Sequence, residues 1–134
     1  MKQKDKELVL KEISLRYPYG IKVFSKILNK PTFVKGIADD FIWVYIDEDN
    51  YEWEPVEDVK LYLRPISSMT EKEKEDFDKI RYNAEAKLFN AFSKGGFTLA
   101  FHEIVDWLNS RHFDYRGLIG LKLALEPPKG MYKY

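Results

Sequence analysis

His102 and Glu103 open the pattern His102-Glu103-x-x-Asp106-x-x-Asn109-x-x-His112, a spacing that imitates a catalytic motif. A zinc-hydrolase helix of the HExxHxxGxxH kind places two ligands one turn apart, brings a third round after a glycine turn, and uses the glutamate as base. Here Asp106 stands where the second histidine would be, and Asn109 where the glycine would be. Aspartate can bind zinc and asparagine tolerates left-handed backbone, so His102, Asp106 and His112 are chemically able to hold a metal beside Glu103. Met131 stands downstream, where a Met-turn would be sought. Against this reading, Phe101, Ile104, Val105 and Leu108 recur at i, i+3, i+4 and i+7, which makes the helix a core element. A chain of 134 residues also has no room for a second lobe to wall a cleft. Zinc-dependent hydrolysis is therefore the third of three readings.

Other catalytic chemistry finds little support. The serines lack a GxSxG context, the chain has no cysteine, and Gly95-Gly96 reads as a helix stop rather than a phosphate cradle. No cofactor is implied. The chain is richer in aromatic side chains: Trp43, Tyr45, Tyr51, Trp53 and Tyr62 lie within twenty residues. Rings sharing one exposed face would form a platform for a peptide, a proline-rich segment or a flipped base, whereas rings turned inward would fill a small core.

Period-two alternation predicts the strands that must carry these rings: 21–27, 33–38, 41–46, 51–53 and 59–63. Asp39 and Asp40 form a hairpin connection, and 55–58 a tight turn. Phe41 to Ile46 is apolar on both faces, so it is expected to be central, covered by the barrel interior on one side and a helix on the other. Five short strands in about forty-five residues suit a small five-stranded, SH3-like antiparallel β-barrel. A long helix from Glu71 to about Ser93 follows, opened by two overlapping capping boxes, Ser68 with Glu71 and Thr70 with Glu73. A C-terminal helical unit completes an α+β fold of one domain, residues 1–134, with a barrel part at 20–65 and a mainly helical part at 68–134.

Residues 1–7 are polar and expected to fray, with two helical turns at 11–17 ending at Pro18 and Gly20. Thr98 is the expected cap of the helix that ends near Ser110. Asp114 should cap a short helix over Tyr115 to Ile119. Trp107, Phe113, Tyr115 and Leu118 straddle that break and are expected to form a clasp, with His112 orienting its turn and Arg116 pairing with Asp114 or a late carbonyl.

Twenty-two basic and twenty-two acidic residues leave no net charge, so no global field draws the chain to nucleic acid or an anionic membrane. The barrel part is mildly acidic. No segment has the length of a membrane span or the apolar run of a signal peptide, which points to a cytoplasmic protein.

Two segments, VEDVKLYLRPISSMTEKEK at 56–74 and DWLNSRHFDYRGLIGLKLALEPPKGMYKY at 106–134, resemble a family of short uncharacterised bacterial and phage proteins with an LRP-SSMT junction, a WLN-x-x-HFDYRGLI segment and a GMYK ending. The chain departs from that pattern at 120–122 and at Pro127, where the family carries alanine. The resemblance brings no catalytic residues. It implies an accessory protein of bacterial, phage-related genomes rather than a housekeeping enzyme.

The leading expectation is thus a non-catalytic protein-binding module that engages a protein partner or self-associates through Trp43, Tyr45, Tyr51, Trp53 and Tyr62. The alternative is nucleic-acid binding through the same rings with Lys22, Lys26, Lys35 and Lys60, against which the neutral charge and acidic barrel both argue.

Overall fold

A computed structural model describes residues 1–90 and 96–133, with the side chains of 1–86 and 102–133. The chain begins with α1 (Gln3–Arg16), continued by a 3-10 turn at Tyr17–Tyr19 that ends on Gly20 in the left-handed region, φ 71°. Residues expected to fray therefore belong to a helix. Its buried stripe is Val9, Glu12, Ile13 and Arg16, at i, i+3, i+4 and i+7.

Five strands follow: β1 (Lys22–Ser25), β2 (Lys30–Ala38), β3 (Phe41–Asp47), β4 (Asn50–Pro55) and β5 (Val59–Tyr62). Asp39, at φ 52°, turns the β2–β3 hairpin as the sequence predicts. A 3-10 turn at Val56–Asp58 joins β4 to β5. A sixth strand, β6 (Ala124–Leu125), pairs in parallel with β5, giving the order β4-β3-β2-β1-β5-β6.

The sheet is not closed into a barrel, which corrects the expected five-stranded closure. Among the described residues β4 pairs only with β3, and the free side of β5 is taken by the chain's own end through β6. The inward face of β4 is tied down differently. Buried Glu54 accepts hydrogen bonds from the Ser25 hydroxyl at 2.6 Å and the Ile27 N–H at 2.9 Å, fixing the turn after β1.

One side of the sheet carries the core, with Val23, Val34, Ile42, Val44, Val59 and Leu61 packed with Val9 and Ile13 of α1 and with Leu118. The second correction concerns β3. Ile42 and Val44 are buried, but Phe41 and Trp43 face outward, and among the described residues no helix covers them.

The long helix, α2 (Glu71–Asn90), packs on α3 (Gly96–Ser110), with Phe77 and Trp107 5.5 Å apart. Of the two expected capping boxes only one forms. The Glu73 N–H donates to the Thr70 hydroxyl and the Thr70 N–H to the Glu73 carboxylate, each at 3.1 Å, while the Ser68 hydroxyl turns back to the Pro65 carbonyl. The expected extension of α2 to Ser93 lies outside the described residues, as do the side chains of Leu88, Ala91, Phe92 and Phe101. α3 starts two residues before the expected cap at Thr98, whose side chain also lies outside them.

After α3 the chain is not helical. Asp114 does cap, accepting the N–H groups of Leu118 and Ile119 at 2.8 and 2.9 Å, but the segment it holds is a run of turns with Gly117 and Lys122 in the left-handed region. No described helix is long and apolar enough to cross a membrane.

Candidate functional site

The outward face of β2, β3 and β4 carries aromatic residues in cross-strand rows. Tyr45 pairs with Tyr51, Trp43 with Trp53, and Phe41 with Pro55, while Phe33 on β2 lies 6.5 Å from Tyr45 edge-on. The rows arise because every second residue of β3 is aromatic and β4 repeats the pattern in register. Phe33, Phe41, Trp43, Tyr51 and Trp53 are between 36% and 47% exposed, and Tyr45 is half-buried.

Trp43 occupies the middle. Tyr51 stacks against it at 5.8 Å and 17°, and Trp53 lies 4.2 Å away at 45°. The ring rests on Gly36, where the β2–β3 register shifts, and a Cβ at Gly36 would stand 3.3 Å from the Trp43 ring. Glycine allows this close approach, and any side chain there would require the ring to shift by a few tenths of an ångström. Lys22 sits over the Phe33 ring at 4.9 Å and Lys35 over Tyr45 at 5.0 Å. Two shallow depressions flank the Phe33–Tyr45 pair, one of about 360 Å³ with Lys35 and Glu48 at its rim, the other of about 230 Å³ between Lys22 and Lys30.

The structure thus brings Trp43, Tyr45, Tyr51 and Trp53 together and leaves Tyr62 out. Tyr62 is buried on β5, and burial pushes its hydroxyl above the ordinary tyrosine range. Its carbonyl accepts the Tyr132 hydroxyl at 2.9 Å, and the same hydroxyl accepts the Lys22 N–H at 3.0 Å. Sequence reasoning missed Phe33 and Phe41, although both sit on the same alternation as Trp43 and Tyr45. Of the lysines paired with the rings in the alternative reading, Lys26 lies 4.0 Å from Asp58 and Lys60 is on β5, so only Lys22 and Lys35 reach the aromatic face.

The residues of the zinc pattern do not converge. His102, Glu103 and Asp106 are exposed on α3, whereas His112 lies beyond the helix end, 3% exposed, in the left-handed region at φ 61°. Its ring stacks on Tyr132 at 4.1 Å. Burial drives the His112 pKa down to about 4; a hydrogen bond with the Tyr19 backbone opposes this and the charges of Arg16 and Arg64 add to it. Among the described residues no group of three His, Asp or Glu side chains could hold a metal ion.

Elsewhere, a depression of about 690 Å³ lies between the Arg64–Thr70 stretch and the tail from Glu126 to Tyr132. The charges on its floor, Arg64 and Glu73, are bonded to each other. The expected pairing of Arg116 is also different. It reaches back to Glu12 of α1 at 2.9 Å, beside the buried Glu12–Arg16 pair.

Compared with protein-family models, with curated proteins and with solved structures, the chain matches none.

Proposed function

We propose that the protein is a non-catalytic interaction module that binds a protein partner through the aromatic face of β2, β3 and β4. One observation carries the reading: five large rings, each more than a third exposed, are gathered on one face of one sheet. At 150–250 Å² per ring they leave roughly 400 Å² of aromatic surface in water. That lies in the range of the largest apolar patch on a monomer, which is often functional. Aromatic side chains are also the residues enriched at the centres of interfaces.

The finer description of the sheet as SH3-like is supported by the antiparallel run from β1 to β4, the 3-10 turn at Val56–Asp58 between β4 and β5, and the return of β5 to the side of β1. The cytoplasmic setting is carried over from the sequence reading, and an accessory role in bacterial or phage-related genomes from the resemblance noted above. Self-association through the same face is one version of the reading.

The test compares partners captured by the full chain with those captured by Trp43→Ser and Trp53→Ser, after circular dichroism has shown both variants folded. Loss of the partner from both variants is expected. Equal capture by all three proteins would place the interface elsewhere and end this reading.

Nucleic-acid binding is the second reading, favoured by Lys22 and Lys35 lying against rings. A gel shift at low salt with single- and double-stranded DNA and RNA decides it, and no shift at high protein concentration ends it.

A further inference from the structure

Resting on the protein-partner reading, the geometry points to the chemistry of the partner: an extended polypeptide segment with a carboxylate side chain about four residues from an apolar or aromatic anchor. Three lysines, Lys22, Lys30 and Lys35, surround the Phe33–Tyr45 pair. Among the described residues none of them has a carboxylate within 4.0 Å, although Lys6, Lys26, Lys72 and Lys74 do. The depression between Lys22 and Lys30 has Phe33, Tyr45 and Ile46 in its walls and no acidic residue. A carboxylate entering it would meet the Lys22 ammonium beside Phe33, with Lys30 also lining the depression, where a charge-assisted contact gains from partial exclusion of water.

The state of the rings separates a peptide from a nucleic acid. Trp43 is packed between Tyr51 and Trp53, Lys22 covers Phe33, and Lys35 covers Tyr45. These contacts take up part of the Trp43, Phe33 and Tyr45 faces that a stacked base would need. Aliphatic, proline or aromatic side chains of a polypeptide pack against ring edges without that requirement. Asp47, Glu48 and Asp49, at the turn next to the same row, oppose a continuous run of phosphates. A peptide avoids them by carrying its acid at the lysine end alone.

The row sets the spacing. Lys22 pairs with Phe33, Phe33 lies beside Tyr45, and Tyr45 pairs with Tyr51, so the row crosses four strands. Three inter-strand steps of about 4.8 Å make roughly 14 Å. Four to five extended residues, at about 3.3 Å each, reach from an acid at Lys22 and Lys30 to an anchor beside Tyr51 and Trp43.

The experiment screens the full chain against an array of short random peptides, with a thymidine oligonucleotide as competitor. Enriched peptides should place Asp or Glu about four residues from Trp, Phe, Leu or Pro. Their affinity should fall about tenfold in the Lys22→Glu/Lys30→Glu variant and at raised salt, and hold in Lys60→Glu. Because Lys22 lies within β1, Lys30→Glu alone, at the exposed start of β2, is measured beside it and should show a smaller loss of the same sign. Enrichment without acidic residues, or indifference to both lysine variants, overturns the proposed chemistry. If Trp53→Ser then still abolishes binding, the interaction reading survives it. No enriched peptide, or displacement of peptide by the oligonucleotide, overturns both.

Discussion

The guanidinium of Arg64 and the carboxylate of Glu73 meet fork to fork, with Nη1 donating to Oε2 at 2.8 Å and Nη2 to Oε1 at 2.6 Å. The same guanidinium donates to the Arg111 carbonyl at 3.3 Å and lies 4.3 Å from the Phe113 ring centre. The Arg64 backbone completes the junction: its N–H donates to the His112 carbonyl, and its carbonyl accepts the Asp114 N–H, both at 2.8 Å. One arginine therefore joins the end of the sheet, the first turn of α2 and the segment after α3.

Removing Glu73 should be costly, because it leaves a largely buried guanidinium without its counter-charge. Glu73→Ala is expected to lose about 3–5 kcal/mol in urea denaturation. Thr70→Ala, which removes the hydroxyl cap alone, should lose about 1 kcal/mol. Burial pushes the Glu73 carboxyl up, but the hydrogen bonds and charge of Arg64 and the bonds from Thr70 outweigh it, and its pKa is lowered overall. This contribution is complete above the ordinary carboxylate pKa and is lost as pH falls through the lowered value. Equal sensitivity of parent and Glu73→Gln to acid would contradict it.

His112 should make the protein acid-sensitive in a higher window. Its folded pKa is about 4 against 6.5 for the free side chain, so the unfolded chain binds the extra proton first. The stability it contributes is complete above about 6.5 and falls away as pH drops to about 4, a difference on the order of 3 kcal/mol. His112→Gln should flatten the stability profile between those limits. A profile unchanged by the substitution would show that other groups govern the acid response.

The clasp gives a ranking. Phe113 is fully buried, stacks on Trp107 at 5.8 Å, and its carbonyl accepts Nη2 of buried Arg16 at 2.7 Å. Trp107 and Tyr115 are only half-buried, and the Tyr115 hydroxyl donates to Asn109 Oδ1 at 2.8 Å. Phe113→Ala should therefore cost most, about 3–5 kcal/mol, and Tyr115→Phe about 1 kcal/mol. His102→Ala, at an exposed helix position, should stay within about 0.5 kcal/mol of the parent. Thermal melts of the three variants would reveal any other order.

The strands were legible because alternation along β1, β2 and β3 follows directly from which face is buried, and the Asp39–Asp40 turn carries its own chemistry. The same alternation held the aromatic face, yet reading it for core residues hid Phe33 and Phe41. α1 was legible only in its last turns, since its buried stripe includes Glu12 and Arg16, whose pairing appears only once Arg116 and the Phe113 carbonyl arrive from about a hundred residues away. Closure of the sheet was misread for a related reason. The edge beside β5 is taken by β6, a two-residue strand too short to register as a pattern. Tyr62 alternates outward like Lys60, but the chain end that pairs with its strand buries it.

Gly36 separates the integrity of the fold from the integrity of the aromatic face. A Cβ there would stand 3.3 Å from Trp43 Cε3 and 3.8 Å from its Cβ, so the tryptophan must give way by a few tenths of an ångström. It can do so, because Trp43 is more than a third exposed on the outer face of the sheet and is not part of the core. Gly36→Ala should accordingly change stability by less than about 1 kcal/mol. Gly36→Val, with two more carbons pressed at the same ring, should push Trp43 off Trp53 and Tyr51 while Val34, Ile42 and Val44 remain packed beneath. The expected result is a near-native melting temperature together with a changed tryptophan emission and weakened partner binding. A Gly36→Val protein that unfolds would mean that the Trp43 ring is held as part of the core; one that binds unchanged would mean that the stack on Trp43 is not the contact surface.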